Sequence, residues 1–209
     1  PMKDLTYTTD SGEVTLNFDI VQKYLVAGDG RCTQAELVSF IKLCQYQALN
    51  PFLREAYLIK YGDSAPATLV VGKDVFNKRA SSHPDYNGCE SGVVIRGAGQ
   101  LIHRAGSMVL DGETLVGGWA KVYRKSWAHP VEKVVSLAEY VGKKKDGTVN
   151  RQWSGKPGTM IVKVADAQAK RDAFPERLAS LYNAEEMGVG DEQPSFISPA
   201  EGQETLKDA

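Results

Sequence analysis

The sequence predicts an α+β fold, a small antiparallel sheet with β-hairpins packed against helices, and three features point there. Short apolar runs meet at the two-residue turn signals Gly62-Asp63 and Asp111-Gly112, which mark hairpins. Longer runs, from Thr33 to Leu49 and from Thr159 to Phe174, repeat apolar residues at helical spacing behind a capping residue. At 209 residues and 42% hydrophobic content, the chain is long enough to bury a full core as one domain with a tail. The boundaries that follow are a flexible segment 1–12, a core 13–187 and an acidic, disordered tail 188–209.

Residues 1–12 are polar. Asn17 is placed to cap a helix over 18–26 that puts Phe18, Val21 and Leu25 on one face, and Gly28-Asp29-Gly30 ends it. Thr33 and Glu36 form a capping-box pattern ahead of Leu37, Phe40, Ile41, Cys44 and Ala48, a core helix stopped by Asn50-Pro51. Residues 56–61 and 67–71 read as a hairpin, and Asp74 as the cap of a helix over 75–80 whose Lys73, Lys78 and Arg79 add local positive charge. Strands follow over 92–96 and 100–103, then a second pair over 107–110 and 114–124 around Asp111-Gly112, and a further strand over 131–137 after His129-Pro130. Lys143-Lys144-Lys145-Asp146-Gly147 is a basic turn. Pro175 opens a helix over 176–186, and the tail beyond Gly188 is too polar to support a core.

The stretch Trp153–Phe174 organises the rest. Pro157-Gly158 breaks the preceding chain, Thr159 serves as N-cap, and Pro175 biases Phe174 away from helix, leaving roughly four turns between them. Turning each residue by about 100° puts Met160, Lys163, Ala167, Lys170, Arg171 and Phe174 in one sector. Ile161, Ala165, Ala169 and Ala173 fall opposite, a small apolar face suited to close packing on a sheet. The cationic face is a track for a polyanion, or else a half-buried helix whose lysines are solvated.

A net charge of −1 conceals a division. From Glu185 onward seven acids face one lysine, −6, so the first 184 residues carry +5; between Trp119 and Arg177, 13 Lys and Arg stand against 6 Asp and Glu, +7, and all three tryptophans lie there. Basic charge interleaved with aromatics is the footprint of nucleic-acid binding. No apolar run approaches the about 18 residues of a spanning helix, and no basic-then-apolar leader is present, so a membrane role is not expected. Cys32, Cys44 and Cys89 are widely spaced with no C-x-x-C, which fits buried thiols in a reducing compartment, and His83, His103 and His129 are too scattered for a metal cluster.

Enzyme signatures are thin. Gly97-Ala98-Gly99 is too short for a dinucleotide fingerprint, no phosphate loop of the G-x-x-x-x-G-K-[ST] kind exists, and no nucleophile and base are set at a telling spacing. A metal-dependent nuclease would need clustered acids at strand ends, where this sequence mostly offers hydrophobics and cations. Phosphate contact needs long cations, supplied by Arg124 and Lys125 at a strand end and by Lys156, Lys163, Lys170 and Arg171, with Lys73 adding to them. Tyr123, Trp127 and Trp153 either stack on bases or fill the seam between helix and sheet.

Leu49-Asn50-Pro51-Phe52, Glu55-Ala56-Tyr57, Val70-Val71-Gly72-Lys73-Asp74, Val122-Tyr123-Arg124-Lys125 with His129-Pro130, and Trp153–Phe174 together resemble the bacteriophage Redβ and RecT single-strand annealing proteins, across about residues 33–187. The resemblance implies a protein of phage recombination in the cytoplasm of a bacterial host that forms rings or helical filaments. It also implies binding of single-stranded DNA without ATP, and an annealed duplex intermediate held in a basic groove. By the same resemblance Arg171 matches a DNA-contacting arginine, and Lys163 stands one place from a contacting lysine. Lys156 lies close to a basic pair that follows the tryptophan, at Gly158 and Thr159 here, and Lys60 lies near a basic residue of the first hairpin. No cofactor is implied beyond Mg²⁺ as a modulator of DNA binding, and the implied partners are a 5′-3′ exonuclease and the host single-strand binding protein. Non-annealing single-strand binding and metal-dependent nuclease action are the alternatives.

Overall fold

The computed structural model describes residues 4–144, 146–189 and 194. They fall into two compact units, the first ending at Gly72 and the second beginning at Lys73. That boundary divides the segment 13–187, which sequence alone takes as one core.

The first unit opens on a hairpin of β1 (Leu5–Thr9) and β2 (Gly12–Leu16). Residues 1–12 were expected to be loose, but Tyr7 anchors the hairpin: its ring is buried and its hydroxyl donates to the Leu49 carbonyl at 2.7 Å, while residues 1–3 lie outside the described residues. Asn17 caps α1 (Phe18–Tyr24) by accepting from the Ile20 N–H. Val26, expected to finish that helix, instead forms β3 (Val26–Ala27) with Ala27, parallel to β4 (Ala56–Ile59), which pairs antiparallel with β5 (Thr68–Val71). Thr33 and Glu36 make the capping box that starts α2 (Gln34–Tyr46), whose Leu37, Phe40, Ile41 and Cys44 are buried. The helix stops before Leu49, and a single 3-10 turn over Pro51–Leu53 follows.

In the second unit α3 (Lys73–Ser81) takes Asp74 inside its first turn rather than as its cap. Next come β6 (Tyr86–Gly97), β7 (Gln100–Ala105), β8 (Thr114–Arg124) and β9 (Val131–Ser136), an antiparallel sheet in the order β7-β6-β8-β9. Positive φ at Ala98 and Gly99 makes the tight β6–β7 turn. Residues 107–110, expected as the partner of β8, are not a strand: Glu113 takes the Leu110 N–H and clasps Arg104 with both oxygens, so the Asp111-Gly112 turn ends a loop, and β8 pairs with β6 and β9 instead. Two short helices, α4 (Leu137–Tyr140) and α5 (Arg151–Gly155), precede α6 (Pro157–Ala173) and α7 (Pro175–Leu178).

Pro157 occupies the first turn of α6, so the helix starts two residues before the expected Thr159 cap. Its apolar face behaves as its sequence implies: Ile161, Ala165, Ala169 and Ala173 are buried, and α6 lies across β8 and β9. Contact is close because β8 presents Gly118, where a methyl group would sit 2.6 Å from the Ile161 carbonyl oxygen. The helix expected over 176–186 ends at Leu178; Ser180 turns with φ 65°, and Leu181, Asn183, Ala184 and Glu185 are buried. Most of the acidic tail, 190–193 and 195–209, lies outside the described residues.

Candidate nucleic-acid interface

The cationic sector of α6 is not a solvent-facing track. Lys170 is only 3% exposed, and its ammonium donates to Asp166 one turn earlier and to Asn77 of α3, both at 2.6 Å. Lys163 donates to Glu185 at 2.7 Å. Arg171 grips Glu186 with two nitrogens at 2.6 and 3.0 Å, donates to the Leu181 carbonyl, and lies 4.6 Å from the Tyr182 ring centroid. Burial acts against the Arg171 charge, but the Glu186 carboxylate more than offsets it and holds the guanidinium pKa above its ordinary value. Met160, Ala167 and Phe174 of the same sector are buried too. The expectation of an exposed basic face is therefore corrected: α6 is covered on this side by residues 181–186. Summed along the sequence, Glu185 and Glu186 open the acidic C-terminal stretch; in space they pair with Lys163 and Arg171 of the helix.

Lys60 and Arg124 are likewise engaged. Lys60, in the first unit, is 1% exposed and sits between both carboxylate oxygens of Glu36 at 2.9 and 2.7 Å. Burial pushes the Glu36 carboxyl up, yet hydrogen bonds from Lys60, the Ala67 N–H and Thr33 outweigh it and bring its pKa down to about 2. Arg124 donates to Asp85 at 2.7 Å and to the Ala173 carbonyl at 2.7 Å, and its guanidinium packs against Trp127 and Phe174. It joins the end of β8 to the end of α6. The Ser126 hydroxyl and then Arg124 hold the Asp85 carboxyl at about 2.

Trp153 is 2% exposed, so its ring fills a seam and offers no face to a base. Asn150 accepts from the Trp153 N–H at 3.1 Å and donates its own N–H to the Gly142 carbonyl at 2.9 Å. A methyl group at Gly142 would stand 2.9 Å from the indole, which explains the glycine. The indole Nε1 has no hydrogen-bond partner among the described residues.

Three candidates remain presented to solvent: Lys73 at the start of α3, Lys125 just after β8, and Lys156 between α5 and α6. Lys125 donates to the Pro84 carbonyl at 2.9 Å, and Trp127, 46% exposed, stands two residues on. The structure does not gather these three into one pocket with the buried cations. Sequence reasoning also passed over Arg151, an exposed cation on α5.

Among the described residues no group of three His, Cys, Asp or Glu is placed to hold a metal ion, and no helix is long and apolar enough to cross a membrane. Cys32 and Cys44 are buried as expected of structural thiols, whereas Cys89 is exposed on β6. Comparison with curated proteins gives no match. A family model described as the RecT family matches residues 11–198, most of the chain and wider than the resemblance read from its motifs. RecT-family members are single-strand annealing proteins of phage recombination that bind DNA and oligomerise, and this chain belongs to the RecT family.

Proposed function

We propose that this chain anneals complementary DNA strands without ATP, as an oligomer that binds single-stranded DNA and retains the annealed duplex. The family match over residues 11–198 carries the reading. Annealing makes and breaks no covalent bond: the protein must neutralise phosphate repulsion while leaving base edges free to test register. Exposed Lys73, Lys125 and Lys156 suit the first task, and half-exposed Trp127 supplies a stacking surface beside Lys125. Lys60, Arg124, Lys163, Lys170 and Arg171 contact phosphate only if it displaces the carboxylates and carbonyls they now hold. Trp153 acts from beneath the surface. Few cations per subunit give weak binding at physiological salt, so capture of two strands draws on many copies along one backbone. No cofactor is required, and Mg²⁺ modulates DNA binding. A phage 5′-3′ exonuclease that exposes the strand and a host single-strand binding protein that coats it are the partners, in the bacterial cytoplasm.

The test is a mixing assay with two complementary oligonucleotides and no nucleotide triphosphate, run with and without Mg²⁺. Faster duplex formation than in buffer supports the reading. Slower formation with tight binding marks a protective single-strand binder instead, and cleavage with Mg²⁺ marks a nuclease.

A further inference from the structure

Trp127 stands in the turn between β8 and β9, and the fold gives it a mount but no cover. Of the three tryptophans, Trp119 is 8% and Trp153 2% exposed, whereas Trp127 is 46% exposed. The turn that carries it does not use its ring. The Asp85 carboxylate accepts from the Ser126 N–H at 2.8 Å and from the Ser126 hydroxyl at 2.6 Å. The Asp85 carbonyl takes the Lys125 N–H at 2.8 Å, and the backbone N–H of Trp127 donates to the Arg124 carbonyl at 3.2 Å. A small polar side chain at 127 would serve this turn equally well.

The ring is instead held from one side. The Arg124 guanidinium carbon lies over the Trp127 ring at 4.9 Å from its centroid, and over the Phe174 ring at 4.9 Å. Phe174 is buried, with the His83 and Tyr86 rings 4.9 and 6.1 Å from its own. Arg124 is fixed in turn, its Nε donating to Asp85 and its Nη1 to the Ala173 carbonyl, both at 2.7 Å. One indole face is therefore taken by an anchored guanidinium, and the open surface lies on the other side. That leaves a flat apolar face, rooted in the core of the second unit, to which one further planar group can be added.

Resting on the annealing function proposed above, we propose that Trp127 is a stacking platform for one unpaired DNA base per subunit, and that pairing of the strand releases the base. An indole accepts any base, because every base has a π-face. Stacking covers that face and leaves the pairing edge free, so the held base still tests a complementary strand. Once paired, the base is stacked between its duplex neighbours, and keeping it on the indole costs unstacking. The contact carries no charge, which separates it from phosphate neutralisation by exposed Lys125 two residues earlier.

The test uses the full chain with oligothymidine, an abasic strand of equal length and charge, and oligodeoxyadenosine as the complement. Oligothymidine is expected to quench the tryptophan emission, the abasic strand to leave it unchanged, and addition of the complement to restore it. Trp127→Leu should bind oligothymidine at least about 5-fold more weakly. Its slope of log K against log salt should stay at the wild-type value, since no phosphate contact is lost. Trp127→Tyr, which returns a ring, should recover most of the affinity. Circular dichroism checks folding, and where Trp127→Leu fails to fold, wild-type quenching and Trp127→Tyr decide. Quenching by the abasic strand, quenching that survives pairing, wild-type affinity in Trp127→Leu, or an equal loss on the abasic strand overturns the platform and leaves annealing standing. A wild type that neither binds nor anneals the oligonucleotides overturns the proposed function itself.

Discussion

Arg171 and Glu186 meet side-on, Nη2 to Oε1 at 2.6 Å and Nη1 to Oε2 at 3.0 Å, and this paired fork fixes the returning chain to α6. Glu186 is almost fully buried, so removing the guanidinium strands its charge. Arg171→Ala is expected to cost about 3 kcal/mol, the range for breaking a buried pair. Urea unfolding checks it, and the double variant Arg171→Ala/Glu186→Ala should recover part of the loss. Full additivity of the two single changes would show that the pair contributes nothing.

Lys170 and Asp166 are a second buried pair, one helical turn apart, with Asn77 completing the set. Lys170→Ala leaves Asp166 buried without its cation and is expected to cost about 3–5 kcal/mol. Lys170→Met with Asp166→Leu, which removes both charges and keeps the volume, should cost clearly less. Equal losses in thermal unfolding would contradict the pairing.

Acid exposes a third dependence. Glu36 and Asp85 both have folded pKa values of about 2, below their ordinary values of 4.5 and 3.8. A depressed folded pKa contributes stability that is complete above the unfolded value and is lost as pH falls through the folded one. Stability should therefore decline between about pH 4.5 and pH 2, and Glu36→Gln should be less stable at pH 7 and flatter across that window. A Glu36→Gln profile parallel to the wild type would remove Glu36 as a cause.

What the sequence shows and hides follows from range. The capping box at Thr33 and Glu36 and the small apolar face of α6 were legible, because each depends on residues within a turn or two of one another. The strand pair 56–61 and 67–71 was legible from its turn, with ends that shifted by a residue or two. Hidden were pairings across distance: β3 beside β4, Lys60 on Glu36 over 24 residues, and Lys163 on Glu185 over 22. A helical wheel places a lysine on a face but not what folds back over it. For Trp153 the sequence left base stacking and seam filling both open, since Gly142, which covers it, lies 11 residues away and carries no side chain to signal the contact; its burial decides for the seam.

Gly118 of β8 and Ile161 of α6 define a fourth. A methyl group at Gly118 meets the Ile161 carbonyl carbon at 2.9 Å as well as its oxygen, and both are backbone atoms that no rotamer change can move. Gly118→Ala must lift the helix from the sheet, and overpacking of this kind costs about 1–3 kcal/mol. Gly112→Ala makes the contrast: nothing lies near its Cβ position, and only its φ of 83° opposes the change. A Gly118→Ala protein as stable as the wild type by thermal unfolding would refute the close approach of α6 to β8.

The last prediction separates charge that is present from charge that is available. Lys163 is about a quarter exposed, but its ammonium is held by Glu185 at 2.7 Å, so in the folded chain it presents a neutralised pair to an incoming phosphate. Glu185→Gln keeps the side-chain shape and removes the competing charge. If the proposed annealing function holds, oligothymidine binding should gain about 0.7 in salt slope, the share of one phosphate, with higher affinity at low salt. The double variant Glu185→Gln/Lys163→Gln should then return the slope to its wild-type value. A gain that survives loss of Lys163 would trace to removal of one negative charge anywhere on the surface, whereas a gain that needs Lys163 shows that Glu185 withholds this cation from DNA.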